Sequence, residues 1–196
     1  MESRVKVAGH PLHQMLIVFP LGLLATAAVF DVIYLISDRP AWTQAAYYMI
    51  GAGIIGGLAA AVPGWVDWGA IPRGTRAKRV GLVHGAGNVV VLALFILSWM
   101  LRRSNPEAPP TEAIVAALGG MALATFTGWL GGELVDRLGV GVDDGAHLDA
   151  PSSLSALPAA AEVRGTPRQA MGGHDRRTQP AGTYRGTERR TAGSMH

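Results

Sequence analysis

Four ionisable side chains lie at or near the ends of long apolar segments in this sequence: His13, Asp67, His84 and Glu133. Ionisable groups within or beside membrane-spanning segments are costly to place and often carry function. Two imidazoles and two carboxylates could ligate one metal ion, because the interiors of helix bundles often hold such sites. The same groups could instead form a proton relay. Which chemistry applies depends on whether the chain brings the four together.

The two histidines also allow a haem site. His13 precedes Asp31 by 18 residues, and His84 precedes Arg102 by 18 residues. At the helical rise per residue, each histidine is predicted about 27 Å from its counterpart at the far interface. The two imidazoles are therefore predicted at one depth, where both could ligate the iron of a b-type haem. The basic residues of the loop beside them could bind the haem propionates: Arg73, Arg76, Lys78 and Arg79.

A structural interpretation of the same four groups stays open. Charged side chains near helix ends can reach the headgroup region, where they cap helices and bind one another. The protein would then be a non-enzymatic membrane scaffold or interaction protein. Asn88 follows His84 by four residues and shares its helix face. Asp31 is too far away to join the histidines and is predicted to pair with an Arg on its own side.

Four apolar segments must position these groups. Each holds about 20 residues, which is enough for a helix to cross a hydrocarbon layer of roughly 30 Å. The predicted spans are residues 15–36, 45–65, 80–101 and 113–134. The sequence therefore predicts an all-α integral membrane protein, an up-down-up-down four-helix bundle. The first and third helices of such a bundle are diagonal, so that His13 and His84 would face each other across the core.

The chain divides into a predicted membrane domain, residues 1–142, and a tail, residues 143–196. The tail is polar and Arg-rich and contains no apolar segment, so it is predicted to be disordered. The absence of cysteine excludes disulfides, thiolate-ligated iron–sulfur clusters and covalently attached c-type haem. The expected partners are the lipid bilayer, a redox partner protein if haem is bound, and a second copy of the chain. Nucleic acid is not expected.

The basic residues predict the orientation of the membrane domain. Arg4 and Lys6 precede the first span, and four basic residues lie between the second and third spans. The opposite side has fewer basic residues: Arg39, Arg102 and Arg103. By the positive-inside rule, a multi-pass protein of the cell membrane with both termini in the cytoplasm is predicted.

Small residues and one proline predict details of the helices. Small residues spaced by four allow close packing between helices. They occur in three of the spans: Gly53, Gly57 and Ala61; Gly81 and Gly85; Gly120, Ala124, Gly128 and Gly132. Pro20 is predicted to kink the first helix, because it cannot donate a backbone hydrogen bond.

Several motifs together resemble a bacterial membrane domain family catalogued as domain of unknown function 2231. They are Gly9-His10-Pro11-Leu12-His13, Phe19-Pro20, Gly64-Trp65-Val66-Asp67-Trp68, Gly81-Leu82-Val83-His84 and Gly128-Trp129-Leu130-Gly131-Gly132-Glu133-Leu134. The resemblance covers roughly residues 7 to 142 and implies a four-helix membrane domain without supplying an activity. Some members carry a Rieske-type domain after the last helix, which implies electron transfer, but this chain has no cysteine for that cluster. It also lacks a nucleophile elbow, a P-loop and a zinc-protease helix, so enzymatic activity is left unassigned.

Overall fold

The computed structural model describes residues 1–161, in which four long helices form an up-down-up-down bundle. In chain order the elements are β1 (Lys6–Val7), β2 (His10–Pro11), α1 (Leu12–Leu16), α2 (Val18–Ser37), α3 (Pro40–Ala70), α4 (Arg76–Arg102) and α5 (Thr111–Gly132). A π-helical turn, Glu133–Arg137, follows α5 directly. The predicted all-α bundle is confirmed. The helices α3 and α4 extend beyond their predicted spans at both ends, and the first and fourth spans do so when α1 and the π-helical turn are included.

The outer surfaces of the helices are apolar. In the described residues, four stretches are long and apolar enough to cross a membrane: Leu12–Ser37, Pro40–Ala70, Arg76–Arg102 and Thr111–Arg137. Large side chains point outward on them, with Phe19 66%, Ile55 71% and Val62 67% exposed. Exposure of so much apolar surface to water is unfavourable in free energy, whereas contact of the same surface with lipid chains is not. The arrangement fits an integral membrane protein.

The helices pack as a ring. The helix α2 packs on α3, α3 on α4, α4 on α5, and α5 returns to α2. The helices α2 and α4 are therefore diagonal, as the sequence predicts for its first and third spans. The centre of the bundle is filled by side chains from all four helices, including Leu24, Ile50, Phe95 and Ala117.

Local sequence signals explain where the helices begin and break. The first span is interrupted at Ile17, between α1 and α2. Pro20 has no N–H to donate to the Leu16 carbonyl, so the break fits the predicted kink. Thr75 caps α4, because its hydroxyl accepts the Lys78 N–H at 3.1 Å. Pro40 occupies the first turn of α3, where a missing N–H costs nothing.

The small residues pack closely at some of the predicted positions and not at others. A Cβ added at Gly53 would lie 2.6 Å from Leu24, and one at Gly57 would lie 2.7 Å from Leu92. At Gly85 and Gly128, by contrast, an added Cβ would meet no atom within 4 Å. The reason is geometric. Four residues exceed one turn of about 3.6, so a four-residue stripe rotates around the helix and leaves the interface.

A buried ion pair joins the helices at the end of the bundle away from the histidines. Arg102 donates to the two carboxylate oxygens of Asp31 at 2.7 and 2.6 Å, and both side chains are 0% exposed. Arg102 also donates to Ser98 Oγ at 3.1 Å. The predicted pairing of Asp31 with an Arg is thus found. Arg102, which the sequence predicts at the membrane interface, is instead buried, and the carboxylate of Asp31 balances its charge.

Residues beyond the last helix contact the N-terminal hairpin. Ser153 Oγ donates to the Ala8 carbonyl at 3.1 Å, and Lys6 pairs with Asp143. Residues 143–161 of the predicted disordered tail therefore form turns with contacts to the membrane domain. The rest of that predicted tail, residues 162–196, lies outside the described residues.

Candidate paired-histidine site

His13 and His84 meet at one end of the bundle. Their ring centroids are 6.4 Å apart, and their ring planes are perpendicular. His13 lies in α1 and His84 near the beginning of α4, and both are half-buried. The structure thus brings together the two residues that the sequence predicts at one depth on diagonal spans.

Each imidazole is held by a backbone carbonyl of a neighbouring helix. His13 Nδ1 lies 2.8 Å from the Ala60 carbonyl oxygen, and His84 Nδ1 lies 2.8 Å from the Thr127 carbonyl oxygen. A carbonyl only accepts hydrogen bonds, so both Nδ1 atoms carry a proton. In the neutral ring, Nε2 is then the nitrogen with a free lone pair. Histidines that bind metals are commonly oriented in this way.

A glycine makes room for each imidazole. Gly64 follows Ala60 by one helical turn, and Gly131 follows Thr127 by one turn. A Cβ added at Gly64 would lie 2.8 Å from His13 Nδ1, and one at Gly131 would lie 3.2 Å from His84 Cε1. In the sequence both glycines stand out only as parts of longer motifs. Their role could not be found from spacing, because it depends on which residue faces them.

Each accepting carbonyl lies near an irregular part of its helix. Pro63 is inside α3 and cannot donate to the Ala59 carbonyl, which loosens the hydrogen-bond ladder in that turn. The carbonyl of Ala60, in the same turn, accepts from His13. In the other half of the bundle, Thr127 lies shortly before the π-helical turn that ends the last span. Irregular turns of this kind are frequent at functional sites.

The two halves of the bundle repeat this arrangement. In the first half a histidine on one helix binds a carbonyl on the next, with a glycine one turn further along, and the second half does the same. The members of the buried ion pair also correspond, because Asp31 and Arg102 each follow their histidine by 18 residues. Membrane proteins built from such repeats often place their site where the repeats meet.

His84 has a second partner in Asn88. The Asn88 amide atom beside the His84 carbonyl oxygen is Nδ2, because a carbonyl only accepts, and the other amide atom, Oδ1, lies 3.0 Å from Thr127 Oγ1. Asn88 Nδ2 lies 3.2 Å from His84 Nε2, and it also donates to the His84 carbonyl at 3.0 Å. The Nε2 atom of His84 therefore accepts a hydrogen bond. Within residues 1–161, His13 Nε2 has no hydrogen-bond partner.

The two carboxylates of the predicted metal site bind elsewhere. Asp67 accepts hydrogen bonds from Ser3 Oγ at 2.7 Å and from the Arg4 N–H at 2.6 Å. Glu133 pairs with Arg76 at 2.6 Å. In the part of the chain that the structure describes, no three His, Asp or Glu side chains converge to hold a metal ion. The four-ligand site is not assembled, because nearer donors satisfy both carboxylates.

Of the four basic residues predicted to bind propionates, Arg76 and Arg79 differ in their surroundings. Arg76 is occupied by Glu133, although its side chain is 55% exposed. Arg79 is exposed on α4, on the turn that precedes His84. Arg79 is therefore available to an anionic group at the membrane surface, whereas Arg76 would first have to leave its carboxylate.

A comparison with protein families gives a match that covers the whole bundle. A family model described as "Predicted membrane protein (DUF2231)" matches residues 9–144. The matched range includes both histidines, their carbonyl partners and the buried ion pair. No curated protein and no solved structure matches the chain.

Proposed function

We propose that this chain, which belongs to the family of predicted membrane proteins DUF2231, transfers electrons in the membrane. In this proposal a b-type haem is held between His13 and His84. The haem would supply one-electron chemistry, and His13 and His84 would hold it. Such a carrier requires a redox partner protein, which would approach at the end of the bundle that holds the histidines.

The observation that carries this proposal is the matched anchoring of the two imidazoles. Each Nδ1 is bound to a carbonyl, which leaves each Nε2 as the nitrogen able to ligate iron. The centroid separation of 6.4 Å suits two imidazoles that share one metal. Two imidazoles that bound one ion through metal–nitrogen bonds of about 2 Å would have a centroid separation of roughly this size.

The two imidazoles fit haem iron as a donor pair, and Asn88 must move to free one of them. Asn88 would release His84 Nε2 and could keep its bond with Thr127. Arg79 is exposed and could meet a propionate. The protein's part would be to orient both imidazoles through the two carbonyls and to keep water from the iron by closing the four helices around it.

A single transition-metal ion is the second candidate, and close packing beside the site favours it. A Cβ added at Gly87 would lie 2.5 Å from Thr127 Cγ2, so α4 and α5 approach tightly one turn from His84. An ion needs no space for a macrocycle. Two imidazoles with water in the remaining positions suit copper or zinc.

The first test is the colour and metal content of the purified protein. With haem bound, the protein should show a Soret band that shifts on reduction with dithionite. His13→Ala and His84→Ala should each abolish the band while the four spans remain inserted. Asn88→Ala is the matched control, because it removes a neighbour of His84 without removing either ligand, and it should keep the pigment.

Other outcomes of this experiment separate the alternatives. Stoichiometric metal without pigment, lost in either histidine variant, would contradict haem and support the ion. A protein with neither pigment nor metal after expression with an ample haem supply would contradict both the haem and the ion, and would favour a scaffold or a proton relay. Asp67→Asn and Glu133→Gln should change neither content, since both carboxylates bind elsewhere.

We also propose that both ends of the membrane domain lie in the cytoplasm. The support is the basic loop between α3 and α4, together with Arg4 and Lys6. The chain has no cysteine, so single cysteines can report the orientation. In intact cells an impermeant maleimide should label Ala41→Cys, before the second span, and leave Pro72→Cys unlabelled until the membrane is opened. The reverse labelling pattern would contradict this orientation.

A further inference from the structure

Two chain segments cover the end of the bundle beside His13. They are residues 1–11, which include the β-hairpin, and residues 138–145, which follow the π-helical turn; together they are called the cap here. The second segment crosses over the beginning of α1. A Cβ added at Gly141 would lie 2.6 Å from Gln14 Nε2 and 3.8 Å from Pro11 Cγ. Gln14 is the residue after His13, so this segment of the cap contacts the turn of α1 that carries His13.

The two segments of the cap are bound to each other mainly by polar contacts. The Gly141 N–H donates to the Met1 carbonyl at 2.9 Å. Lys6 Nζ donates to Asp143 and, at 2.8 Å, to Glu2. The Asp143 carboxylate, followed by that of Glu2, raises the pKa of Lys6, so this cation stays charged throughout the neutral range. The described part of the chain thus holds the cap together by charges and backbone bonds, which open more easily than a packed apolar core.

Asp67 attaches the cap to the bundle. It lies near the end of α3, and its two oxygens accept from Ser3 Oγ at 2.7 Å and from the Arg4 N–H at 2.6 Å. Ser3 is only 7% exposed. Hydrogen bonds to a carboxylate are among the stronger ones in proteins. Release of Ser3 and Arg4 would free residues 1–4, and the Met1 carbonyl in this stretch binds the crossing segment at Gly141.

We propose that the cap is a gate between the aqueous phase and His13, and that Asp67 is its latch. The inference goes beyond the proposed function, because it concerns access to the site whatever the histidines bind. It gives Asp67 a role different from the metal ligand that the sequence suggested. A half-buried site at the end of a membrane bundle needs a path through which any cofactor, ion or proton reaches it.

The gate can be tested by labelling a cysteine placed beneath the cap. Gln14→Cys is the reporter in the full chain, which has no other cysteine. Its rate of reaction with a small maleimide is compared in three backgrounds: otherwise unchanged, Asp67→Ala and Glu133→Ala. Asp67→Ala should speed labelling about tenfold, because both bonds of the latch are lost. Glu133→Ala is the matched control. It removes a carboxylate at the same end of the bundle and should leave the rate unchanged.

Equal labelling rates in the Asp67→Ala and unchanged backgrounds would overturn the proposal, as would an equal increase in the Glu133→Ala control. Ser3→Ala provides a milder variant if Asp67→Ala does not fold. It removes one of the two bonds and should give a smaller increase, whereas no increase in a folded Ser3→Ala protein would count against the latch. The readout is independent of pigment. A colourless protein with Asp67-dependent labelling would contradict haem and still support the gate.

Discussion

Replacement of Arg102 by alanine is expected to destabilise the protein by about 3–5 kcal/mol, because the charge of Asp31 would remain buried without a partner. Both side chains are 0% exposed, and two hydrogen bonds of 2.7 and 2.6 Å join them. The pair connects α2 to α4 across the diagonal of the bundle. Arg102 also lies 3.4 Å from Thr43 Oγ1 on α3 and 3.4 Å from the Ala113 carbonyl on α5. All four long helices therefore meet at this cluster.

Arg103→Ala is the matched control for this prediction. Arg103 is the next residue and also basic, but it is exposed at the end of α4. Its guanidinium lies 6.0 Å from the centre of the Trp99 ring, so its loss should change the free energy of unfolding by no more than about 1 kcal/mol. The double variant Asp31→Leu with Arg102→Met should recover much of the lost stability, because apolar residues can replace a buried ion pair. Thermal unfolding in detergent measures all of these variants. An Arg102→Ala protein as stable as Arg103→Ala would contradict the importance of the pair.

Gly64→Ala is expected to displace His13 and to cost about 1–3 kcal/mol of stability, because the new methyl group overlaps a ring held in place. The added Cβ would lie 2.8 Å from His13 Nδ1 and 3.0 Å from Cε1. The imidazole could escape only by giving up its 2.8 Å hydrogen bond to the Ala60 carbonyl. The variant should therefore lose any cofactor or metal that the histidine pair binds, as well as stability.

Gly69→Ala controls for the general effect of alanine on α3. A Cβ added at Gly69 meets no atom within 4 Å, so this variant should be neutral or stabilising by up to about 1 kcal/mol. Gly131→Ala and Gly128→Ala form the corresponding pair on α5, where only the first faces an imidazole. Thermal unfolding and cofactor content are measured for all four. If Gly64→Ala matched Gly69→Ala in both, the anchoring of His13 would not depend on the close approach of the glycine.

The sequence by itself determined the spans, the fold class and the depth of the polar groups. A segment that crosses a membrane must satisfy its own backbone hydrogen bonds, so a single apolar segment of about 20 residues is expected to form a helix. Depth then follows from counting along a helix of constant rise, which placed His13 level with His84. The same counting predicts that Asp31 is too far from the histidines to contact them, and that its partner is an Arg on its own side of the membrane.

Only the tertiary structure decided which groups touch at each depth. The rotation of a helix about its axis and the choice of its neighbour depend on packing, which spacing along the chain does not specify. Asp67 and Glu133 lie at the predicted end of the bundle, but neither carboxylate binds a histidine. Asp67 accepts from Ser3 and Arg4, and Glu133 pairs with Arg76. The carbonyls that orient His13 and His84 belong to helices distant in sequence, and so do the glycines that admit the rings. The position of Arg102 at the end of a span predicts an interfacial charge, but the rotation of its helix points the side chain inward to Asp31.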